Sequence, residues 1–215
     1  MFILEAQVFG IHSATSDKVK RALVIGNGES RKDINLYDFR GNHILIGCNA
    51  VHREYLVDIL SCCDARMVQE ALLNRQAEYI KIYTRAAWRS RFTHQNVHTF
   101  PNLPYQGPDK IDDPEHWGSG PYAVLLATYL GYKEVVLLGF DLYSKNDLVN
   151  NIYKGTDNYS GPEHKAVDHS FWVYQIAKVF EHNPDVHFTI VNDENWTIPQ
   201  SWQLANTSFQ KITDL

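Results

Sequence analysis

The stretch Ser119–Ser144, SGPYAVLLATYLGYKEVVLLGFDLYS, decides how this chain is read. A small-residue turn at Ser119-Gly120-Pro121-Tyr122 opens an apolar helix, and Gly131 stops it. Lys133-Glu134 leads into a buried strand, Val135–Gly139, and Asp141, Tyr143 and Ser144 follow its carboxyl end. In open α/β sheets, ligands bind beyond strand carboxyl ends and at helix N-termini. Both edges fall within this one unit, so it is expected to carry half of an active site.

Working outward, strand-like runs recur at Ala22–Ile25, His43–Cys48, Tyr55–Cys62, Tyr79–Tyr83, Val97–Phe100, Glu134–Gly139 and Val186–Val191. Helical patterns separate them at Ala65–Gln76, Pro121–Leu130 and Ser170–His182. The strands are continuous apolar runs, which suits a sheet covered on both faces. The expected fold is α/β: a doubly wound, mostly parallel, Rossmann-like sheet forming a single domain over residues 1–215. Pro101–Trp117 and a polar, aromatic, Asn-rich stretch at about 142–164 break the rhythm, and the second is expected to be a lid.

Composition is that of a globular chain, with 44% hydrophobic and 21% charged residues among 215. A net charge of −5 argues against a broad nucleic-acid-binding face. Cys48, Cys62 and Cys63 lie in or beside apolar runs without metal-type spacing, so reduced core thiols and a cytoplasmic setting are expected. The N-terminal MFILEAQVFGIHSATSDK has no basic region before its apolar run. That run is too short to span a bilayer, so neither a signal nor an integral membrane segment is expected. Self-association as a homo-oligomer is left open.

The first strand runs into Gly26-Asn27-Gly28-Glu29-Ser30. Two glycines let backbone approach a ligand, and Ser30 can cap the next turn. A merely tight βα turn explains the same glycines. A dinucleotide fingerprint fails, because Arg31 stands where the third glycine belongs and the second strand ends at Asn49 rather than an acid. Asn49 and Asp64 follow the second and third strands, so Asn27, Asn49 and Asp64 are expected along one rim. Asp64 can equally cap the next helix.

His169 follows Asp168 at the start of the helix SFWVYQIAKVFE. An imidazole at a helix N-terminus is favoured neutral, as a general base must be. His164 is a rival, and a His164/Asp168/His169 metal site is disfavoured because two of the three are adjacent. Tyr143, Tyr153 and Tyr159 stand in the lid region, where hydroxyls can donate to a phosphate. No Asp-x-Asp motif occurs, so nucleotide chemistry is expected to use neutral donors rather than a metal.

GNGES, CNA, the Ser119–Ser144 stretch and DHS at a helix start together resemble the bacterial sialyltransferases of glycosyltransferase family 42. Those enzymes carry GNGPS, CN, SG-x-Y, LGYKE leading to GxDFY, and a histidine before their last long helix. The resemblance implies a glycosyltransferase-A-variant fold with a lid and an inverting, metal-independent transfer from a CMP-linked nucleotide-sugar donor to a glycan or small-molecule acceptor. Carried residue by residue, Asn27 and Asn49 would contact the nucleotide, and Ser119 and Gly120 its phosphate or ribose region; Gly26, Gly28, Ser30, Asp64 and Asp141, from the same turns and strand ends, complete the expected donor site. Tyr143 and Tyr153 would hold the leaving phosphate, and His169 would be the base. The chain departs from the family pattern at Glu29, at Asp64 and at His116-Trp117, where relatives have Pro, Asn and an Arg. Its lid is shorter, and it lacks the basic and apolar C-terminal tail. The outline is also similar to that of the archaeal-type hydroxymethylpterin diphosphokinases, which would imply ATP and Mg²⁺. A non-catalytic nucleotide- or sugar-binding module is the third alternative.

Overall fold

A computed structural model describes residues 21–143 and 146–215. The N-terminal stretch and Ser144 lie outside them. Eight strands form one sheet in the order β5-β4-β3-β2-β1-β6-β7-β8. They are β1 Arg21–Ile25, β2 His43–Cys48, β3 Ile59–Ser61, β4 Lys81–Thr84, β5 Val97–Thr99, β6 Glu134–Leu138, β7 His187–Asn192 and β8 Thr207–Lys211. Every pairing is parallel, so all carboxyl ends share one rim.

The strand sequences explain the layering. In β1, Ala22 and Val24 face one apolar layer while Leu23 and Ile25 face the other, and all four are fully buried. Helix α3, Ser119–Tyr129, is apolar all round and is buried between the sheet and helix α4, Ser170–Glu181. Its end is a Schellman motif: Tyr132 N–H donates to the Ala127 carbonyl at 3.2 Å and Gly131 N–H to Thr128 at 2.9 Å. Gly131 supplies the required positive φ of 89°. Helix α1, Ala65–Leu73, covers the opposite face, and α2, Ala86–Arg89, is a single turn.

Several boundaries differ from the sequence pattern. The run from Tyr55 becomes a strand only at Ile59, because the Asp58 carboxylate turns back to accept the Leu45 N–H at 2.7 Å. Helix α1 stops at Leu73, where Asn74 accepts the Gln76 N–H and starts a separate 3₁₀ turn that delays β4 to Lys81. Strand β8, TSFQK, is a half-exposed edge whose sequence has no apolar run to announce it.

Candidate functional site

Strand order reverses between β1 and β6, so the segments leaving these neighbours diverge and a crevice opens at the carboxyl rim. A cavity of about 400 Å³ fills it, a size typical of small-molecule sites, which run from ~300 to 1,000 Å³. Gly26, Asn27 and Gly28 enter from β1, Asn49 from β2 and Asp64 from β3. Ser119 and Gly120 come from the start of α3, and Asp141 from the exit of β6.

The turn after β1 is tight for internal reasons. Gly26 and Gly28 donate their N–H groups to the Leu138 and Gly139 carbonyls at 2.8 and 2.9 Å. A Cβ on Gly26 would lie 2.3 Å from the Gly139 oxygen, and one on Gly28 would lie 2.3 Å from the Asp141 carboxyl carbon. Protein packing therefore requires both glycines, whatever a ligand does. Beneath the turn Arg31 is fully buried, its Nε donating to the Gly26 carbonyl at 2.6 Å and its Nη2 to the Tyr153 hydroxyl at 3.2 Å.

Asp141 is buried and accepts the Ser30 N–H at 2.9 Å and the Ser30 hydroxyl at 2.5 Å. Burial raises its carboxyl above the ordinary range, and the Ser30 bonds oppose that rise. Ser30 is thus turned toward Asp141 and lies outside the cavity. Burial also pushes the Cys48 and Cys63 thiols, which face the cavity, up to about 12. They remain protonated near neutrality and are poor nucleophiles.

Ser119 joins the tips of β2 and β3. Its carbonyl accepts the Ser61 hydroxyl at 2.7 Å, its hydroxyl accepts the Cys63 N–H at 2.9 Å, and that hydroxyl donates to Asn49 Oδ1 at 2.9 Å. Asn49, at φ 49°, is left with a carboxamide N–H₂ that has no protein partner among the described residues. Asn27 shows the converse. Its Nδ2 donates to the Tyr159 hydroxyl at 3.2 Å, while its Oδ1 is buried without a partner. The β2 tip thus carries one unused donor, and the neighbouring β1 tip holds an acceptor that is buried and unpartnered.

The three residues read as catalytic lie elsewhere. Tyr143 and His169 meet edge to face at 5.3 Å between ring centroids and line a neighbouring groove. The Tyr143 hydroxyl donates to the Thr197 carbonyl. Burial raises the Tyr143 phenol above its ordinary value. Tyr153 is buried in the second core layer, not on the cavity wall. His169 is the N-cap of α4, and Trp172, one turn further along, lines the cavity.

The polar segment after β6 folds over this end of the molecule. Leu148 and Lys165 form an antiparallel bridge, the Ile152 N–H donates to the Asn27 carbonyl at 2.9 Å, and the Glu29 N–H donates to Asn150 Oδ1 at 2.9 Å. Arg53 fastens it from outside, pairing with Glu70 and donating to Thr156 Oγ1 and the Asp157 carbonyl at 2.7 and 2.8 Å.

Sequence reasoning missed Arg85 and Trp172 as cavity residues and marked His116 only as a departure from the family pattern; all three line the cavity. Arg85 follows the last residue of β4, the fourth successive strand end on the same rim, and that position is its sequence signal.

Solved structures share this architecture. The monofunctional alpha-2,3-sialyltransferase Cst-I from Campylobacter jejuni superposes with a TM-score of 0.61 at 15% identity, over 91% of this chain and 85% of that one. The chain shares its fold with sialyltransferases. The sialyltransferase CstII from the same organism, in complex with the substrate analogue cytidine-5'-monophosphate, matches at TM-score 0.50 and 14% identity over 79% of each chain. A complex of CST-II with a trisaccharide acceptor and CMP matches at 0.50 and 15% over 79% of this chain and 80% of that one. No family model and no curated protein matches the sequence. At these identities the likeness is one of fold, and function has to be argued from the site. Among the described residues no helix is long and apolar enough to cross a membrane, and no three His, Cys, Asp or Glu side chains gather as metal ligands.

Proposed function

We propose that this protein is an inverting glycosyltransferase that takes its sugar from a CMP-linked donor and needs no metal ion. The observation that carries the reading is the pair of unused polar groups at the β1 and β2 tips, Asn27 Oδ1 and the Asn49 N–H₂. A cytosine ring presents a donor amino group beside ring acceptors; the Asn49 N–H₂ matches an acceptor of such an edge, and Asn27 Oδ1, buried without a partner, would meet the amino group once its carboxamide turned outward. Trp172, 37% exposed on the cavity wall, offers a flat apolar face for a base or sugar ring. The fold is one in which CMP complexes occur in the sialyltransferase CstII.

In this reading the acceptor enters through the groove beside the cavity. Its hydroxyl oxygen attacks the anomeric carbon, the bond from that carbon to the phosphate oxygen breaks, and CMP departs with the electron pair. His169 takes the hydroxyl proton, from one helical turn before Trp172. Tyr143, packed against His169, would donate to the departing phosphate on releasing the Thr197 carbonyl. Neutral donors take the place of a metal, in keeping with a chain that lacks Asp-x-Asp.

Calorimetry of CMP and ATP, each with and without EDTA, followed by transfer assays from CMP-linked sugars, tests the reading. CMP binding that survives EDTA and donor-dependent transfer are expected. Strictly Mg²⁺-dependent ATP binding would replace the reading with diphosphate transfer. CMP binding without turnover on any acceptor would leave a nucleotide-binding module.

A further inference from the structure

We infer that Arg85 forms an anion subsite of the cavity and sets which donors the protein accepts. The inference rests on the CMP-donor reading for the identity of its ligand, but not for the existence of the subsite. Arg85 follows β4 and is the only Lys or Arg on the cavity wall among the described residues. One nitrogen, Nη2, donates to the Trp117 carbonyl at 2.9 Å. Its Nε is buried without a partner, and no carboxylate among the described residues lies within ion-pair distance of the guanidinium. The acids of the wall do not pair with it: Asp141 is occupied by Ser30, and Asp64, though it lines the same cavity, lies outside ion-pair distance.

A guanidinium fixed at one nitrogen by a backbone carbonyl retains a fork of N–H groups that fits a planar carboxylate or a phosphate edge. Nη1 has no protein partner among the described residues and is not buried, so it is open to an oxyanion; Nε is sealed without an acceptor, a desolvation cost that a bound oxyanion would relieve if the side chain turned toward it. The fit is to an oxyanion of the donor, either the nucleotide phosphate or a carboxylate on the transferred sugar. Adjacent strands are ~4.8 Å apart, so the tip of β4 lies about two strand spacings beyond Asn49. That offset sets Arg85 apart from the Asn27 and Asn49 tips, on the side of the rim away from the exit of β6.

The test compares wild type with Arg85→Gln and Arg85→Lys in calorimetry. The probes are cytidine, CMP, a CMP-linked sugar with a carboxylate at its anomeric carbon, and inorganic pyrophosphate. Cytidine affinity is expected to be equal in all three proteins, which also reports that the variants are folded. If the anion is the phosphate, Arg85→Gln weakens CMP by about 10- to 100-fold. If it is the sugar carboxylate, CMP is unchanged and only the CMP-linked sugar weakens by about that factor, with Lys a poor substitute for the fork. Equal binding of every anionic probe by wild type and Arg85→Gln would overturn the inference. A wild type that ignores cytidine and CMP yet binds pyrophosphate through Arg85 would sink the CMP reading and leave the subsite standing. A wild type that binds none of the four would remove both.

Discussion

The Ser119 hydroxyl donates to Asn49 Oδ1 at 2.9 Å, fixing from the start of α3 which end of a carboxamide on β2 faces the crevice. The same hydroxyl accepts the Cys63 N–H, so one oxygen ties a helix to two strand tips. In Ser119→Ala a buried N–H loses its partner and the Asn49 amide is free to turn over. Urea unfolding should show a loss of about 1–3 kcal/mol, and CMP affinity should fall with it. Unchanged stability would mean that Ser119 is not the tie described.

Gly28→Ala separates packing from ligand approach. Its new Cβ would meet the Asp141 carboxylate at 2.3–2.6 Å. Overpacking of this kind costs about 1–3 kcal/mol, and the loss should appear in the ligand-free protein. A variant as stable as wild type that loses only nucleotide affinity would restore the ligand-approach explanation.

The Arg53–Glu70 clamp over the lid gives a pH signature. The Arg53 hydrogen bonds hold the Glu70 carboxyl below its ordinary 4.5, burial opposes this, and Asn158 adds to the lowering. A depressed carboxyl contributes stability that is complete above pH 4.5 and disappears as the pH falls through the lower folded-state value. Melting temperatures measured across acid pH should therefore drop less steeply for Glu70→Gln than for wild type. Parallel curves would show that the clamp does not couple to folding.

His169→Ala examines the assigned base. Turnover should fall by about 10²–10⁴, while CMP affinity barely changes because His169 lines the neighbouring groove rather than the cavity. A large loss of CMP binding, or unchanged turnover, would remove the assignment.

Much of the fold is legible in local pattern. RALVI, HILIGC and EVVLL are apolar on consecutive residues because both sheet faces are covered, and Gly131 marks where α3 must stop. The rim that gathers Asn27, Asn49 and Asp64 follows from counting strand ends. Strand β8 was not legible, because an edge strand with one half-exposed face carries no continuous apolar run.

Side-chain occupancy lies beyond sequence pattern. Asp141, Ser30, Ser119 and Tyr153 look like ligand donors and acceptors, yet each spends hydrogen bonds on another part of the protein. Local sequence was enough to set the alternation of strand and helix, because burial periodicity and glycine stops act within a few residues of one another. Which polar groups are left over, Asn27 Oδ1, the Asn49 amide and Arg85 Nε, was settled by the folded arrangement, because a hydrogen bond closes across β-sheet neighbours far apart in the chain.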